Sequence, residues 1–402
     1  MSSELPDSPL KITIIGAGIA GLSAALALSN ANPTHEITIL ESNPSLSEFG
    51  AGIQLSANSA RLLDKWGMTQ SLRAVAFEAA HMSARRWQDN TELASIPHNP
   101  VSTWLYGWPH WQIYRPDLQR VLYDGVAKLP NVRVLFGKAV THVDHVTGTV
   151  RTADTVLEAD LAVGADGIWS KTRRFLPATQ DVRPTPYREH TYRSVIPRSR
   201  MLSNPITAPL MSAPESKAWL GPYNAVLGYT VASDSLYNFI ISVPRPNPDV
   251  PLASWNEPGD LAMMRGLVDG WCEEVQALAS LVQEGECAVW TLGEVLAVPS
   301  YVSESGRVVL IGDAAHAILP HAGQGGGMAI EDAASLVEFL GCMGSRDDLG
   351  RTMSAWSEFR QTRVEHLREI ARSNADALTF PDGPSQVARD AKWAAIIQVQ
   401  QA

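Results

Sequence analysis

A chain of 402 residues with 45% apolar and 18% charged side chains has the composition of a soluble globular protein, long enough for two cored regions or for one large α/β unit with an insert. The formal net charge of −10, with no Lys/Arg tract, argues against nucleic acid as a partner and means that an anionic substrate needs a local positive group. The three cysteines, Cys272, Cys287 and Cys342, form no CxxC pair, so neither a redox dithiol nor a metal site is supported, and the sparse count suits a reducing, cytoplasmic compartment.

Met1–Pro9 is polar and acidic and lacks the layout of a signal peptide. Lys11–Ile15 is short, apolar and bounded by Gly16, the pattern of a buried parallel strand. The alanine- and leucine-rich Ile19–Ser29 predicts a helix stopped by Asn30, Asn32 and Pro33, and Glu36–Leu40 predicts the next strand. Strand, helix and strand within roughly thirty residues make a mononucleotide unit. Helices follow over Asn58–Trp66 and Asp117–Lys128, then strands over Val132–Leu135 and Ala139–Val143, with a Thr147-Gly148 hairpin turn before Thr149–Thr152.

From about Pro177 prolines become frequent, and the runs Thr191–Ile196, Ala225–Val231 and Tyr237–Val243 predict an inserted, mainly antiparallel sheet. Asp260–Val282 reads as one helix. Glycine-punctuated strand texture returns at Arg307–Asp313, and helices follow from Gly327 or Met328 to about Leu340 and over Ala355–Leu378. The apolar tail Trp393–Val399 is too short to cross a bilayer, and no other stretch reaches that length.

Three motifs carry the chemistry, each at the carboxyl end of a predicted strand, where open α/β sheets bind ligands. Gly16-x-Gly18-x-x-Gly21 permits a tight turn, close backbone approach to a pyrophosphate, and close helix packing. Glu41, about twenty residues beyond Gly21, is placed to accept hydrogen bonds from a ribose diol. Gly164-Ala165-Asp166-Gly167 and Gly312-Asp313-Ala314-Ala315-His316 follow. A nicotinamide dehydrogenase has no need of the third motif. A flavin dinucleotide does, because its ribityl chain extends to where Asp313 can hold hydroxyls, and the helix start Gln324–Gly327 can present N–H groups to the ring. Read alone, Asp313 could also be a helix cap, a reading the combination of motifs weighs against.

With these motifs the chain resembles the class A FAD-dependent aromatic hydroxylases, the group of p-hydroxybenzoate hydroxylase, and is most similar in type to salicylate hydroxylase and hydroxynicotinate monooxygenase. The likeness runs nearly end to end. It is carried by Gly16–Gly21, Glu41, Gly50–Gln54 with Asn58, Tyr114–Leu118, Gly164–Gly167 with Ser170 and Arg173, Tyr192–Pro197, Gly312–His316, Pro320–Asp332, and Pro381–Gln386 with Arg389 and Asp390.

The resemblance implies a Rossmann-like FAD-binding domain over 1–180 and 295–375. It places an inserted antiparallel substrate domain at 181–294, with part of 70–115 contributing to the pocket, and a helical tail at 376–402. It implies FAD held by Gly16, Gly18, Gly21, Glu41, Ile53, Arg115, Asp166, Asp313, Gly325, Gly326 and Gly327, with Pro320 beside the reactive edge of the ring. Arg115 would contact the phosphate-ribose region, and Asp166 would serve both flavin and nicotinamide. NADH or NADPH would reduce FAD and leave, and oxygen would form a flavin hydroperoxide. A small, electron-rich aromatic acid would attack its distal oxygen, with or without loss of carbon dioxide. A homodimer is compatible with this reading.

The substrate pocket is expected between the insert and the flavin. Arg193 is the candidate anchor for a carboxylate or phenolate, Tyr223 a candidate partner for a substrate oxygen, and His321 a candidate acid or base, each with a purely structural alternative. Trp104, Trp108, Trp111 and Trp219 could form an apolar wall or lie in the core. After Pro320 the sequence His321–Gly327 departs from the tyrosine and alanines usual in salicylate-hydroxylase relatives, which leaves the substrate open. Two rival readings are an FAD-dependent epoxidase of a secondary metabolite and a non-catalytic flavin-binding scaffold. The intact second and third motifs weigh against the scaffold.

Overall fold

Short apolar runs of three to five residues align as parallel strands because their side chains find buried neighbours on both faces, only the leading Lys11 and Glu36 and the outermost strand being less buried. A computed structural model describes residues 9–46, 50–246, 256–296 and 298–401, with side chains described to 394; the reading of Met1–Pro9 lies outside them but for its last residue. The parallel sheet has five strands in the order Val308–Leu310, Leu161–Gly164, Lys11–Ile15, Glu36–Leu40, Val132–Leu135. Ile15 is level with Gly164 and Leu40, and Gly164 with Leu310. One sheet edge therefore receives Gly16, Glu41, Asp166 and Gly312–Asp313 together.

The helix Ile19–Ala31 is buried almost throughout and packs beneath this sheet with Arg115–Val126 and Gly325–Leu340. The large apolar cluster around Ile12, Ile14, Leu22, Leu26, Val163 and Val309 is fully buried, so the edge loops stand on a rigid base.

The second region is an eight-stranded sheet in the order Asn256–Pro258, Ala288–Val295, Pro184–Pro197, Leu236–Pro244, Ala225–Val231, Glu215–Leu220, His81–Arg86, Glu92–Pro97. It is antiparallel except where Glu215–Leu220 runs parallel to His81–Arg86. The last two strands come from the 70–115 stretch. Strand alternation assigns the two faces. Tyr192, Ile196, Val226, Phe239 and Ile241 pack with Met264, Val275 and Leu278 of two short helices. The opposite face, bearing Glu189, Thr191, Arg193, Leu227, Tyr229 and Ile240, turns toward the parallel sheet.

One expected helix is two. Leu261–Gly266 and Glu273–Leu281 are separated at Gly270, whose φ of +77° is left-handed and ends a helix. The expected late helix is longer than read, spanning Leu349–Leu378. No helix among the described residues is long and apolar enough to cross a membrane.

Candidate active site

The glycine turn is tight where the sequence says it must be. A Cβ on Gly16 would lie 2.5 Å from the Ala165 carbonyl oxygen and one on Gly21 would lie 2.0 Å from that of Gly16. Gly18 differs: a Cβ there would meet nothing within 4 Å. It opens onto a cradle at the start of the Ile19–Ala31 helix, which has neither a side-chain cap nor an acid in its first turn. Uncapped helix N–H groups beside open space are what a pyrophosphate requires.

Glu41 holds this turn. Its carboxylate accepts the Ala17 N–H at 2.9 Å and the N–H of Asn43 at 2.8 Å. The Asp166 carboxylate accepts Ser170 Oγ at 2.6 Å and the N–H groups of Lys171 and Thr172 at 2.8 and 2.9 Å, so it caps the Lys171–Phe175 helix. Arg173 from that helix is buried and donates to Ala314 O at 2.8 Å and Ile168 O at 2.7 Å, tying the second motif to the third.

Asp313 is solvent-accessible by area, yet the surrounding protein pushes its carboxyl upward, opposed by the charges of His316 and Arg115. Both observations hold for a side chain on the floor of a deep, open cleft. Burial lowers the Arg115 guanidinium, and Asp313 opposes that shift. The two groups thus lie within reach of each other's charge.

Behind Asp313 stands a charge cluster. Asp332 accepts the Gly312 N–H at 2.7 Å, lies 2.7 Å from His316 Nε2, and accepts Arg360 Nε at 2.6 Å. Glu331 pairs with Arg360 and Arg363 and accepts Asn58 Nδ2 at 2.7 Å, while Asn58 also donates to Gln324. These bonds fix the start of Gly325–Leu340, which has no side-chain cap and no acid in its first turn. A Cβ on Gly326 would lie 2.6 Å from Ile53 Cδ1 and one on Gly323 2.9 Å from Gln54 Oε1, so the strand Gly52–Leu55 closes against this helix start.

The inserted sheet completes the cleft from above. Gly52 donates to Asn238 Oδ1 at 2.9 Å, and a Cβ on Gly52 would collide with the Tyr229 ring. The Arg193 guanidinium stacks over Trp290 at 4.8 Å and donates from Nε to Thr191 Oγ1 at 2.9 Å. Burial lowers the Arg193 group, and it also pushes the Tyr229 phenol up to about 12, against the pull of Arg193. A cation and a neutral phenol therefore share one dry recess. Pro320 is exposed to the cleft at the start of the turn Pro320–Ala322, with His321 next to it.

Two expectations are corrected. Tyr223 sits on the hairpin after Glu215–Leu220 with φ of +66°, its ring 58% exposed and its N–H bonded to Thr379 O, so it is not brought to Arg193. Tyr229 holds that place, on the strand Ala225–Val231, which is buried on both faces and so carries no alternation by which the sequence could have singled it out. The four tryptophans form no wall. Trp104 is 76% exposed, Trp108 donates to Asp64, and Trp111 and Trp219 lie in separate cores, bonded to Glu78 and Asn90. Trp290 lines the recess instead.

The surface also carries a cleft of about 1740 Å³ between the helices Ile19–Ala31, Ala57–Lys65, Gly325–Leu340 and Leu349–Leu378. None of Gly18, Asp313, Arg193 or Pro320 lines it, and the converging polar groups place the chemistry at the sheet edge.

A family model described as FAD binding domain matches residues 10–367. The chain belongs to the FAD binding domain family. Family membership bears out FAD as the cofactor, and the open cradle at Gly18 and the cleft-floor pair Asp313 and Arg115 fit an anionic, hydroxyl-rich dinucleotide. The chain is 34% identical over 386 residues to a 3-amino-4-hydroxybenzoate 2-monooxygenase of Streptomyces platensis, covering 94% of this chain and 91% of that protein. It is 30% identical over 371 residues to a 6-hydroxynicotinate 3-monooxygenase of Bordetella bronchiseptica, covering 91% of each. A solved salicylate hydroxylase in complex with its substrate superposes with a TM-score of 0.79 at 24% identity, covering 98% of this chain and 94% of that one, and so shares the fold. The likeness read from the motifs is borne out, as is the mixed α/β architecture with antiparallel sheet and C-terminal helices.

Proposed function

We propose that this FAD-dependent monooxygenase uses NAD(P)H and molecular oxygen to hydroxylate a small aromatic acid, phenolic or heteroaromatic, in the cytoplasm. The observation that carries the reading is the Arg193 guanidinium. In a chain of net charge −10 it is held in an apolar recess, stacked on Trp290 and facing the cleft beside Tyr229. A buried cation with donors to spare selects a carboxylate, and its planar fork fixes the plane of the attached ring. The hydroxybenzoate and hydroxynicotinate named for the two monooxygenases both pair a ring hydroxyl with a carboxylate, which supports this choice.

FAD, when bound, supplies electron transfer from the nicotinamide and the activation of oxygen. The chain supplies the rest. Gly16, Gly18 and Gly21 bring the helix start to the pyrophosphate, with Glu41 at the ribose. Arg115 and Asp313 hold the phosphate-ribose region and the ribityl chain. Asp166 acts through the loop it caps. Ile53, Pro320 and the N–H groups of Gly325, Gly326 and Gly327 would hold the ring. The antiparallel sheet, Pro184–Pro197 through Glu92–Pro97, is the substrate-side region. It excludes water and lays the substrate against the flavin, and positioning of this kind supplies much of the catalysis.

The test is a panel of hydroxybenzoates, aminohydroxybenzoates and hydroxynicotinates, with NADH and NADPH consumption and product mass recorded. Consumption stimulated by aromatic acids, but not by their amides, with a product heavier by one oxygen, supports the reading. Equal response to acids and amides contradicts the acid specificity.

A further inference from the structure

The motif Pro381–Gln386 with Arg389 and Asp390 stands apart from the cofactor cradle. The long helix ends at Leu378, and the next helix, Pro384–Gln401, lies back against the strand Glu92–Pro97 of the inserted sheet. Its sheet-facing side is polar. The Asp390 carboxylate accepts from Arg86 of the strand His81–Arg86, from Gln386 Nε2, and from Nε and Nη2 of Arg389 at 2.9 and 2.8 Å. Arg389 also donates to Ala377 O at 2.6 Å and covers the Trp393 ring at 5.4 Å. Charges clamped in this way hold the helix in one place, because removing one partner leaves the other unpaired.

The face this helix covers is the face that bears Arg193. One row of paired residues crosses six strands in the order Arg193, Ile240, Leu227, Ala218, Ala84, Ala94. Residues paired directly across strands point to the same side of a sheet. The three alanines are buried, and Leu227, Leu378 and Trp393 pack against their cluster. Arg193 and Ile240 are half-buried, and Leu227 is the one residue of its strand that is not buried. The row is therefore open at its cationic end, apolar in its middle, and closed at its far end by the helix. With adjacent strands about 4.8 Å apart, Arg193 and Leu227 are separated by about 10 Å along the row. The Arg193 guanidinium leans the other way, over Trp290 of the strand on its far side, which widens the gap. A bare benzoate held by its carboxylate ends short of Leu227.

We propose that the C-terminal helix is the far wall of the substrate recess, that Leu227 and Trp393 are specificity-determining residues, and that the ligand is an aromatic hydroxy acid carrying an alkyl group on the ring position opposite its carboxylate. The inference rests on the aromatic-acid reading. A planar guanidinium fork sets the axis of the carboxylate, so the opposite ring position points away from Arg193. An alkyl group there lies over Ile240 and reaches Leu227 and the helix. Its burial takes apolar surface of both partners out of water, and the charges of Arg86, Arg389 and Asp390 keep the wall from yielding.

The test uses FAD-loaded protein without nicotinamide and three probes: 3-hydroxybenzoate, 3-hydroxy-4-propylbenzoate and the amide of the latter. Binding is measured by titration calorimetry in wild type, Leu227→Ala and Trp393→Ala. FAD content and far-ultraviolet circular dichroism establish that each variant is folded. Wild type should bind the propyl acid at least about tenfold more tightly than the plain acid, the effect of burying about two methylene groups. Each variant should cut that ratio at least about threefold, close to the effect of one methylene group. A wall of purely structural importance would weaken both acids together and leave the ratio as it is. A wild-type ratio near or below one, or a ratio that neither variant moves, overturns the assignment while leaving the aromatic-acid reading standing. If the amide binds as tightly as its acid, or none of the three probes binds, that reading is contradicted and this assignment with it. If one variant loses FAD, the other still decides the question.

Discussion

Asp332 accepts the backbone N–H of Gly312 at 2.7 Å, so a carboxylate on one helix fixes the loop that places Asp313 in the cleft. Gly312 has φ of +57° and ψ of −144°, a conformation that side chains resist and that an external bond must hold. Burial alone would raise the Asp332 carboxyl. His316, Arg360 and the bond from Gly312 overcome it and hold the group at about 2.

Asp332→Asn is therefore expected to destabilise the protein by roughly 3–5 kcal/mol, the usual cost of breaking a buried charge cluster on one side. The sign with pH follows from linkage. A depressed carboxyl contributes stability above its unfolded value, and this is lost as pH falls from about 4 toward about 2. Urea titrations across that range should show a shallower acid limb in the variant. An unchanged limb contradicts the role.

Gly18 and Gly21 separate cofactor binding from folding. Gly21→Ala puts a Cβ 2.0 Å from the Gly16 carbonyl, so it should lower thermal stability with or without FAD. Gly18→Val enters space that the protein does not fill. It should leave the apoprotein stability within about 0.5 kcal/mol of wild type while FAD affinity falls. Flavin fluorescence titration together with apoprotein melting checks both. A Gly18→Val protein that binds FAD normally means the pyrophosphate lies elsewhere.

Asp313→Ala and Arg115→Ala are each expected to weaken FAD by roughly 1.5–3 kcal/mol, the cost of a charged hydrogen bond, and to spare the fold. Asp313 is exposed and Arg115 half-buried, so neither belongs to the core. FAD dissociation followed by fluorescence measures this, and wild-type affinity in both variants would place the cofactor wrongly.

The edge loops were legible in the sequence because a glycine turn after a buried strand is a local event. Gly16, Asp166 and Asp313 each follow their own strand, and parallel registry lines up the ends. The pocket was not legible in the same way. Arg193 and Tyr229 meet only through the pairing of three strands, so a tyrosine in a turn, Tyr223, looked as good as one in a strand. Glu189 carried no motif, and His321, 3.3 Å from its carboxylate, lies far away in the chain. The break at Gly270 was hidden because the apolar spacing continues through it.

His98 and His110 stack at 4.0 Å and are kept neutral in the fold. Burial lowers His98 to about 4 and His110 to about 3, with a neighbouring histidine adding to each shift. The unfolded chain takes up these protons below its ordinary value near 6.5, and the folded chain does not. Stability is therefore full above that value and falls as pH drops toward 4, by up to roughly 2.7 kcal/mol per pH unit for the pair. Replacing both with glutamine should flatten this slope in denaturant titrations. A slope equal to wild type means the two rings are charged in the native state.

Oxygen transfer to an aromatic acid is the centre of this account, and isotope incorporation tests it most directly. FAD-loaded protein is given NADH or NADPH, an aromatic hydroxy acid that stimulates its consumption, and isotopically heavy oxygen gas. The account predicts a product carrying one heavy oxygen atom on the ring, formed by wild type and strongly reduced in Arg193→Lys at equal FAD content. Cofactor consumption that yields only hydrogen peroxide with every aromatic acid, or a product whose added oxygen comes from water, would contradict it.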